Sequence, residues 1–419
     1  MPSPSSFPSL GALVAIVLSS ACSTGESTKP AATPTSTQPE TKQEASRSFD
    51  LDALLAREAD DLREVALSGQ GFRARALAKG TPEVSGEDDF SKLVLPIGSE
   101  APVHCFVYED DPDPGSALSA IAESLSRELD LSRVVAGEVL VVREAPVATL
   151  TGYYTTDTPQ GRAIGELKIA FHSRLGASSM CLHDELGYEK TFLRVARSVF
   201  ESLDRETSLV TPSYVEIAAA EVNGRPAGYE RLLVLPAKDG ERKLVATGLA
   251  LLISEPNLLV TQDYAALTTV DASDRIVNAR FTEAKNGKLS LEVELRRAGG
   301  KSYEFRGNRA GQAVSGRLSA DDAEGLPSQL WTQRELARRL AGGGAFEFSI
   351  QQYRPSEDAT ALSRIGYVRR SSDPPGTVLV RTGKVEALSL LDARGREQRS
   401  EMNTQGFSVV MKSIYRRGE

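Results

Sequence analysis

Two short segments hold the side chains best suited to chemistry: Val103-His104-Cys105 and Met180-Cys181-Leu182-His183-Asp184. Thiolates and imidazoles together bind zinc, whereas two thiols in an oxidising compartment form a disulfide. Strand alternation bears on the choice. His104 and Cys105 are neighbours, so on regular strands they point to opposite faces, while Cys181 and His183 share a face. All four cannot converge, and three ligands make a poor structural zinc site. The readings left open are a disulfide between Cys105 and Cys181, which an exported protein favours, a pair of free thiols, and a metal site. A bridge would close a loop of about 75 residues, an effect of about 4 kcal/mol in the chain-entropy account.

Elsewhere no reactive constellation stands out. There is no Gly-x-Ser-x-Gly, no Ser-x-x-Lys with its companions and no His-Glu-x-x-His. Only three histidines are present, and His172 sits in an alternating strand pattern that reads as structural or exposed. The acidic run Glu109 to Asp113 invites a calcium loop. Counted from Asp111, however, position six is Ser116 and position twelve is Ala122, where Gly and Glu are required. The run reads instead as a solvated loop, with Asp113-Pro114 opening a helix. No catalytic residue, cofactor site or metal site is therefore expected, although a carboxylate pair among 57 acidic residues would carry no sequence signature.

The third cysteine, Cys22, concerns address. Gly11 to Ser20, GALVAIVLSS, is an apolar run of signal-peptide length, shorter than the ~20 residues a spanning helix needs. Leu18-Ser19-Ser20-Ala21-Cys22 resembles the lipobox of bacterial lipoproteins. That resemblance implies a diacylglycerol on the Cys22 thiol, loss of residues 1–21 as a signal peptide, and acylation of the new amino group. Residues 22–48 are rich in Ser, Thr, Pro, Lys and Glu and almost free of large apolar side chains, a disordered spacer between membrane and body. Ser23 is not the aspartate that commonly retains lipoproteins at the inner membrane, so the family's sorting rule implies the outer membrane, facing the periplasm. The net charge of −8 lacks the basic footprint of a nucleic-acid binder.

The elements that must position these residues fall into three stretches. Leu51, Leu54, Leu55, Leu62 and Val65 recur at helical spacing, so the spacing predicts a helix over Asp50 to Ser68, followed by a loop from Gly69 to Asp89. Residues 49–78 form this helix and connector. Residues 79–205 read as an α/β sandwich-like domain: strand, helix, several strands, then a helix over Glu189 to Leu203, with both helices on one side of a sheet. Its element order resembles small periplasmic domains of the PsbP and DcrB type. Residues 206–419 read as a curved antiparallel β-sheet cradling one helix near Pro327 to Leu340. Hairpin signals at Asn223-Gly224, Asp239-Gly240, Asn286-Gly287 and Gly299-Gly300 punctuate it. The fold class expected is α+β.

Within this last stretch, Glu221-Val222-Asn223-Gly224-Arg225-Pro226-Ala227-Gly228-Tyr229 and Leu391-Asp392-Ala393-Arg394-Gly395-Arg396 are similar to two turns of a β-rich domain found ahead of transglutaminase-like domains in secreted bacterial proteins. The likeness implies a fold and an exported compartment, and no reaction. The function expected is a non-enzymatic envelope lipoprotein that binds a protein or lipid partner. The alternative is a periplasmic carrier of a hydrophobic or lipid ligand, like LolA-like half-barrels, with the helix near Trp331 as a lid. A hydrolase with a non-standard site comes last.

Overall fold

The computed structural model describes residues 51–86, 89–109, 113–128, 130–158, 161–205, 210–237, 240–254, 258–404 and 406–418. Cys22, the signal peptide and the spacer lie outside them. Among the described residues no helix is long and apolar enough to cross a membrane.

The N-terminal elements are α1 (Leu51–Leu55), β1 (Arg63–Gly69), β2 (Phe72–Ala78), β3 (Glu83–Gly86), β4 (Phe90–Leu95), β5 (Val103–Tyr108) and α2 (Pro114–Glu128). They continue with β6 (Asp130–Ala136), β7 (Leu140–Val142), β8 (Ala145–Thr158), β9 (Gly161–His172), β10 (Ser179–Asp184), α3 (Glu189–Ser202) and β11 (Asp204–Arg205). The helix expected over Asp50 to Ser68 forms only at Leu51–Leu55. Beyond it, β1 and β2 pair as a hairpin, so most of the expected Gly69-to-Asp89 loop is also strand. The deciding signal is period two: Phe72, Ala74, Ala76 and Ala78 are buried while Arg73 and Arg75 are exposed.

Strands β3 to β10 build an antiparallel sheet in the order β3-β4-β5-β10-β9-β8-β6, with β7 also on β8. The two helices cover opposite faces of it, not one side as expected. Phe192, Val195, Val199 and Phe200 of α3 pack on the face that carries Val103, Cys105 and Cys181. Leu118 of α2 packs on the other face, with Phe171 and Met180. Alternation gives this sheet two apolar faces, and each needs its own cover.

The C-terminal elements are β12 (Tyr214–Val222), β13 (Arg225–Pro236), β14 (Arg242–Ser254), β15 (Leu258–Val270), β16 (Ile276–Lys285), β17 (Lys288–Gly299), β18 (Ser302–Arg309) and β19 (Gln312–Ser319). The helix α4 (Gln329–Ala341) follows. Next come β20 (Phe346–Tyr353), β21 (Leu362–Arg369), β22 (Thr377–Thr382), β23 (Val385–Leu391), β24 (Glu397–Thr404) and β25 (Phe407–Gly418). All belong to one 14-stranded antiparallel sheet. Each strand pairs with the next except across α4, and the last strand returns to the first, Gly418 opposite Tyr214. The edges are therefore β19 and β20, the strands that flank α4. The molecule is mostly β, with four helices among the described residues.

Three of the four marked hairpin signals, Asn223-Gly224, Asn286-Gly287 and Gly299-Gly300, fall at turns, while Asp239 of the fourth lies outside the described residues. Asn223-Gly224 and Asn286-Gly287 take positive φ at both residues, as tight hairpins need. Gly228 has a different reason: its φ is +121°, and a Cβ there would run into the Leu249 carbonyl of β14.

The N-terminal domain docks on the outer wall of this large sheet. Leu118 of α2 shares a core with Tyr229, Leu249, Leu251 and Leu259. The Asp263 carboxylate of β15 accepts the N–H groups of Gly115 (2.7 Å) and Ser116 (3.0 Å) at the start of α2. Asp113 holds the N-cap position, its carbonyl accepting the Ala117 N–H at 3.1 Å just before Pro114, while the carboxylate that accepts the first-turn N–H groups comes from the other domain. Val141 of β7 packs near Leu233 on the outside and Leu330 of α4 near Leu232 and Val234 on the inside, so β13 is covered on both faces, which is why Leu232-Leu233-Val234-Leu235 reads as an unbroken apolar run.

Candidate ligand cavity beneath the C-terminal helix

Helix α4 is fixed against the concave face of the sheet. Ser328 caps it, accepting the Trp331 N–H at 3.4 Å, and the Arg275 guanidinium lies 4.6 Å from the centre of the Trp331 ring. Leu336 is buried with Ile350, Ile365, Tyr367 and Leu391, and Trp331 and Leu340 pack on the same cluster. The turn Leu391 to Arg396 meets the helix from the far side. There Asp392 accepts the N–H groups of Arg394 and Arg396, each at 2.9 Å, and Gly395 lies so close to Gln333 that a Cβ would strike its carbonyl.

Between α4 and the strands is a cavity of about 160 Å³ with an open mouth. Strands from both arms of the sheet line it, β12 to β15 on one side and β20 to β25 on the other, so the sheet curls around it. The inner wall mixes small side chains, Ala218, Ala246 and Ala387, with larger apolar ones such as Leu232, Val385 and Leu391. Alanine at inward positions leaves room that larger residues would fill.

Three carboxyl groups interrupt this apolar wall: Glu216 on β12, Glu230 on β13 and Glu397 on β24. Glu216 is neutralised. Arg416 donates to it from Nε at 3.1 Å and pairs with it through the rest of the guanidinium, and the Tyr214 hydroxyl donates at 2.7 Å. Arg416 is spent there, on Asp392 at 3.3 Å and on the Glu397 carbonyl at 2.7 Å. Glu230 accepts a hydrogen bond from the Tyr264 hydroxyl, and Glu397 accepts one from Ser389 at 2.9 Å. Among the described residues no basic side chain forms an ion pair with either. Burial pushes Glu230 up to about 7 against the pull of the Tyr264 hydrogen bond. Burial pushes Glu397 up to about 8, and the charges of Glu230 and Glu216 add to the rise. Tyr367 also lines the cavity. It is 7% exposed, its ring stacks on Phe348, and its hydroxyl makes no hydrogen bond to the described residues.

The residues singled out in the sequence lie elsewhere. Cys105 and Cys181 stand opposite each other on β5 and β10 and are joined as a disulfide, both fully buried. Their thiols are thereby committed to each other and not to a metal. His183 is buried against Phe192 and Tyr188, and burial pushes it down to about 4. His172 stacks on Phe200, lies 3.1 Å from the Val142 carbonyl through Nε2, and is pushed down to about 3 by burial. Cys22 falls outside the described residues. The cavity acids carry one faint signal in the sequence: Glu230 and Glu216 occupy the same alternating face as Leu232 and Ala218, acids set two residues from apolar inward positions.

No family model and no curated protein matches this chain. Two solved structures are similar to parts of it. One is a β-barrel-like protein of the domain of unknown function DUF1849 from Brucella abortus, with 12% identity and a TM-score of 0.35, covering 50% of this chain and 98% of its own. The other is a DUF1089 family protein from Pseudomonas aeruginosa, with 17% identity and a TM-score of 0.25, covering 41% of this chain and 88% of its own.

Proposed function

We propose that the protein is an exported, non-enzymatic binding protein, tethered to a bacterial envelope membrane by lipid on Cys22, that holds a small amphiphilic molecule beneath α4. The observation that carries this reading is the cavity: a room with an apolar wall, a helix across it, and a few polar groups at fixed places, which is the usual make-up of a ligand site. It favours the carrier over a protein-docking role for the β domain. The cavity carboxyls meet hydroxyl donors and not a nucleophile paired with a base, which suits holding better than cleaving. The lipobox-like Leu18 to Cys22, the polar spacer and the buried disulfide support an oxidising compartment outside the cytoplasm.

Native mass spectrometry of protein purified without harsh detergent tests the binding half of the proposal. The expected result is a retained small molecule that leaves on denaturation. Protein that carries nothing, and takes up nothing from an extract of the host's lipids, contradicts it.

A further inference from the structure

Charge and hydrogen bonding in the cavity say more about its occupant, on the footing that the cavity is a ligand site. Arg416 is the basic side chain that reaches these acids, and it is held by Glu216 and Asp392. Glu230 and Glu397 are left with a single hydroxyl donor each. Carboxyl groups set in a cavity wall without a cation are unusual, since a charge held away from water is costly unless it is paired or protonated. Beside them the Tyr367 hydroxyl, nine-tenths buried, faces the same space with no partner among the described residues. Tyrosine hydroxyls in largely buried residues usually find a partner, and one left open to the cavity is free to bond whatever enters it.

We propose that the cavity binds an amphiphile whose protonated amine sits at Glu230, Glu397 and Tyr367 and whose hydrocarbon lies along the alanine-lined wall under α4. An alkylammonium has three N–H donors. When the two acids give up their protons to meet it, two carboxylates and a phenol oxygen supply three acceptors, and the cation balances the charge they then carry. A fatty acid or a phosphate head would bring negative charge to a place already rich in it. An alcohol would bring no charge for the carboxylates to meet and would leave the two acids protonated.

The test is displacement of a neutral naphthyl fluorophore from the purified full-length protein by octylammonium, octanol and octanoate. Octylammonium is expected to compete at concentrations at least about tenfold lower than the other two, the factor that corresponds to about 1.4 kcal/mol. Glu230→Gln and Glu397→Gln, singly and together, are expected to narrow that gap to about twofold. Equal competition by all three, or better competition by octanoate, overturns the amine assignment and leaves the cavity reading intact. Failure of the fluorophore itself to bind removes both. The comparison of head groups on the unaltered protein stands even if a variant does not fold.

Discussion

The carboxylate of Asp263, on the C-terminal sheet, accepts the backbone N–H of Gly115 at 2.7 Å at the start of a helix in the N-terminal domain. One residue thus caps α2 and fastens the two domains together. Glycine at 115 leaves room for this contact, because a Cβ there would press on the Asp263 carboxyl oxygen. Asp263→Ala is expected to cost about 1–2 kcal/mol, the usual loss for a helix cap with its charge–dipole term. Gly115→Ala should cost a comparable amount by pushing the carboxylate away. Urea unfolding checks both; an unchanged midpoint for either contradicts the latch.

The buried disulfide joins paired positions on β5 and β10 across a sequence separation of 76 residues. Chain-entropy reasoning puts its contribution near ~4 kcal/mol. Reduction, or Cys105→Ala with Cys181→Ala, should lower the unfolding midpoint by that order. An equal midpoint for the oxidised and reduced protein would contradict it.

The cavity acids make stability depend on pH in a definite direction. Glu397 is pushed up to about 8 and Glu230 up to about 7, both above the ordinary carboxylate range. Folded protein therefore keeps protons that the unfolded chain has lost. Stability from these groups is full below about pH 4 and is lost as pH rises through about 7 to 8. The groups facing Glu397 are Glu230, Glu216, Arg416 and Ser389, and the two acids reinforce the trend. Glu397→Gln cannot ionise, so its stability relative to the unaltered protein should improve between about pH 5 and about pH 8.5. A difference that stays constant over that range excludes the assignment.

The anchor is checked by mass. The mature protein should begin at Cys22 and carry acyl chains on it. An unmodified N-terminus at any other residue, or full-length protein in the cytoplasm, would refute the tether.

Local features were legible in the sequence because their causes are local. Asn286-Gly287 makes its hairpin through the positive φ that those residues tolerate. Phe192, Val195, Val199 and Phe200 mark the buried stripe of α3, and Leu336 marks the face of α4 that packs. What escaped depends on closure. Nothing near Tyr214 says that it lies beside Gly418, and that pairing turns one face of β12 into the inside of a cavity. Glu397 looks like any charged strand residue until β24 is placed opposite β13. Asp263 likewise reads as an ordinary polar position on a strand, and only the docking of α2 makes it a cap. The early helix failed for a related reason: Leu62 and Val65 fit a helical stripe, but the hairpin with Phe72 to Ala78 gave that segment a better partner.

The central claim, that the space under α4 is a binding site, is tested most directly by filling it. Ala246 lines the cavity, and Ala246→Phe would occupy it. Titration of a neutral naphthyl fluorophore into the unaltered protein should give saturable one-to-one binding. The same titration of a folded Ala246→Phe protein should show affinity lower by at least about tenfold, since a single aromatic ring removes the volume the probe needs. Unsaturable binding to the unaltered protein, or undiminished affinity in the filled variant, would contradict the account.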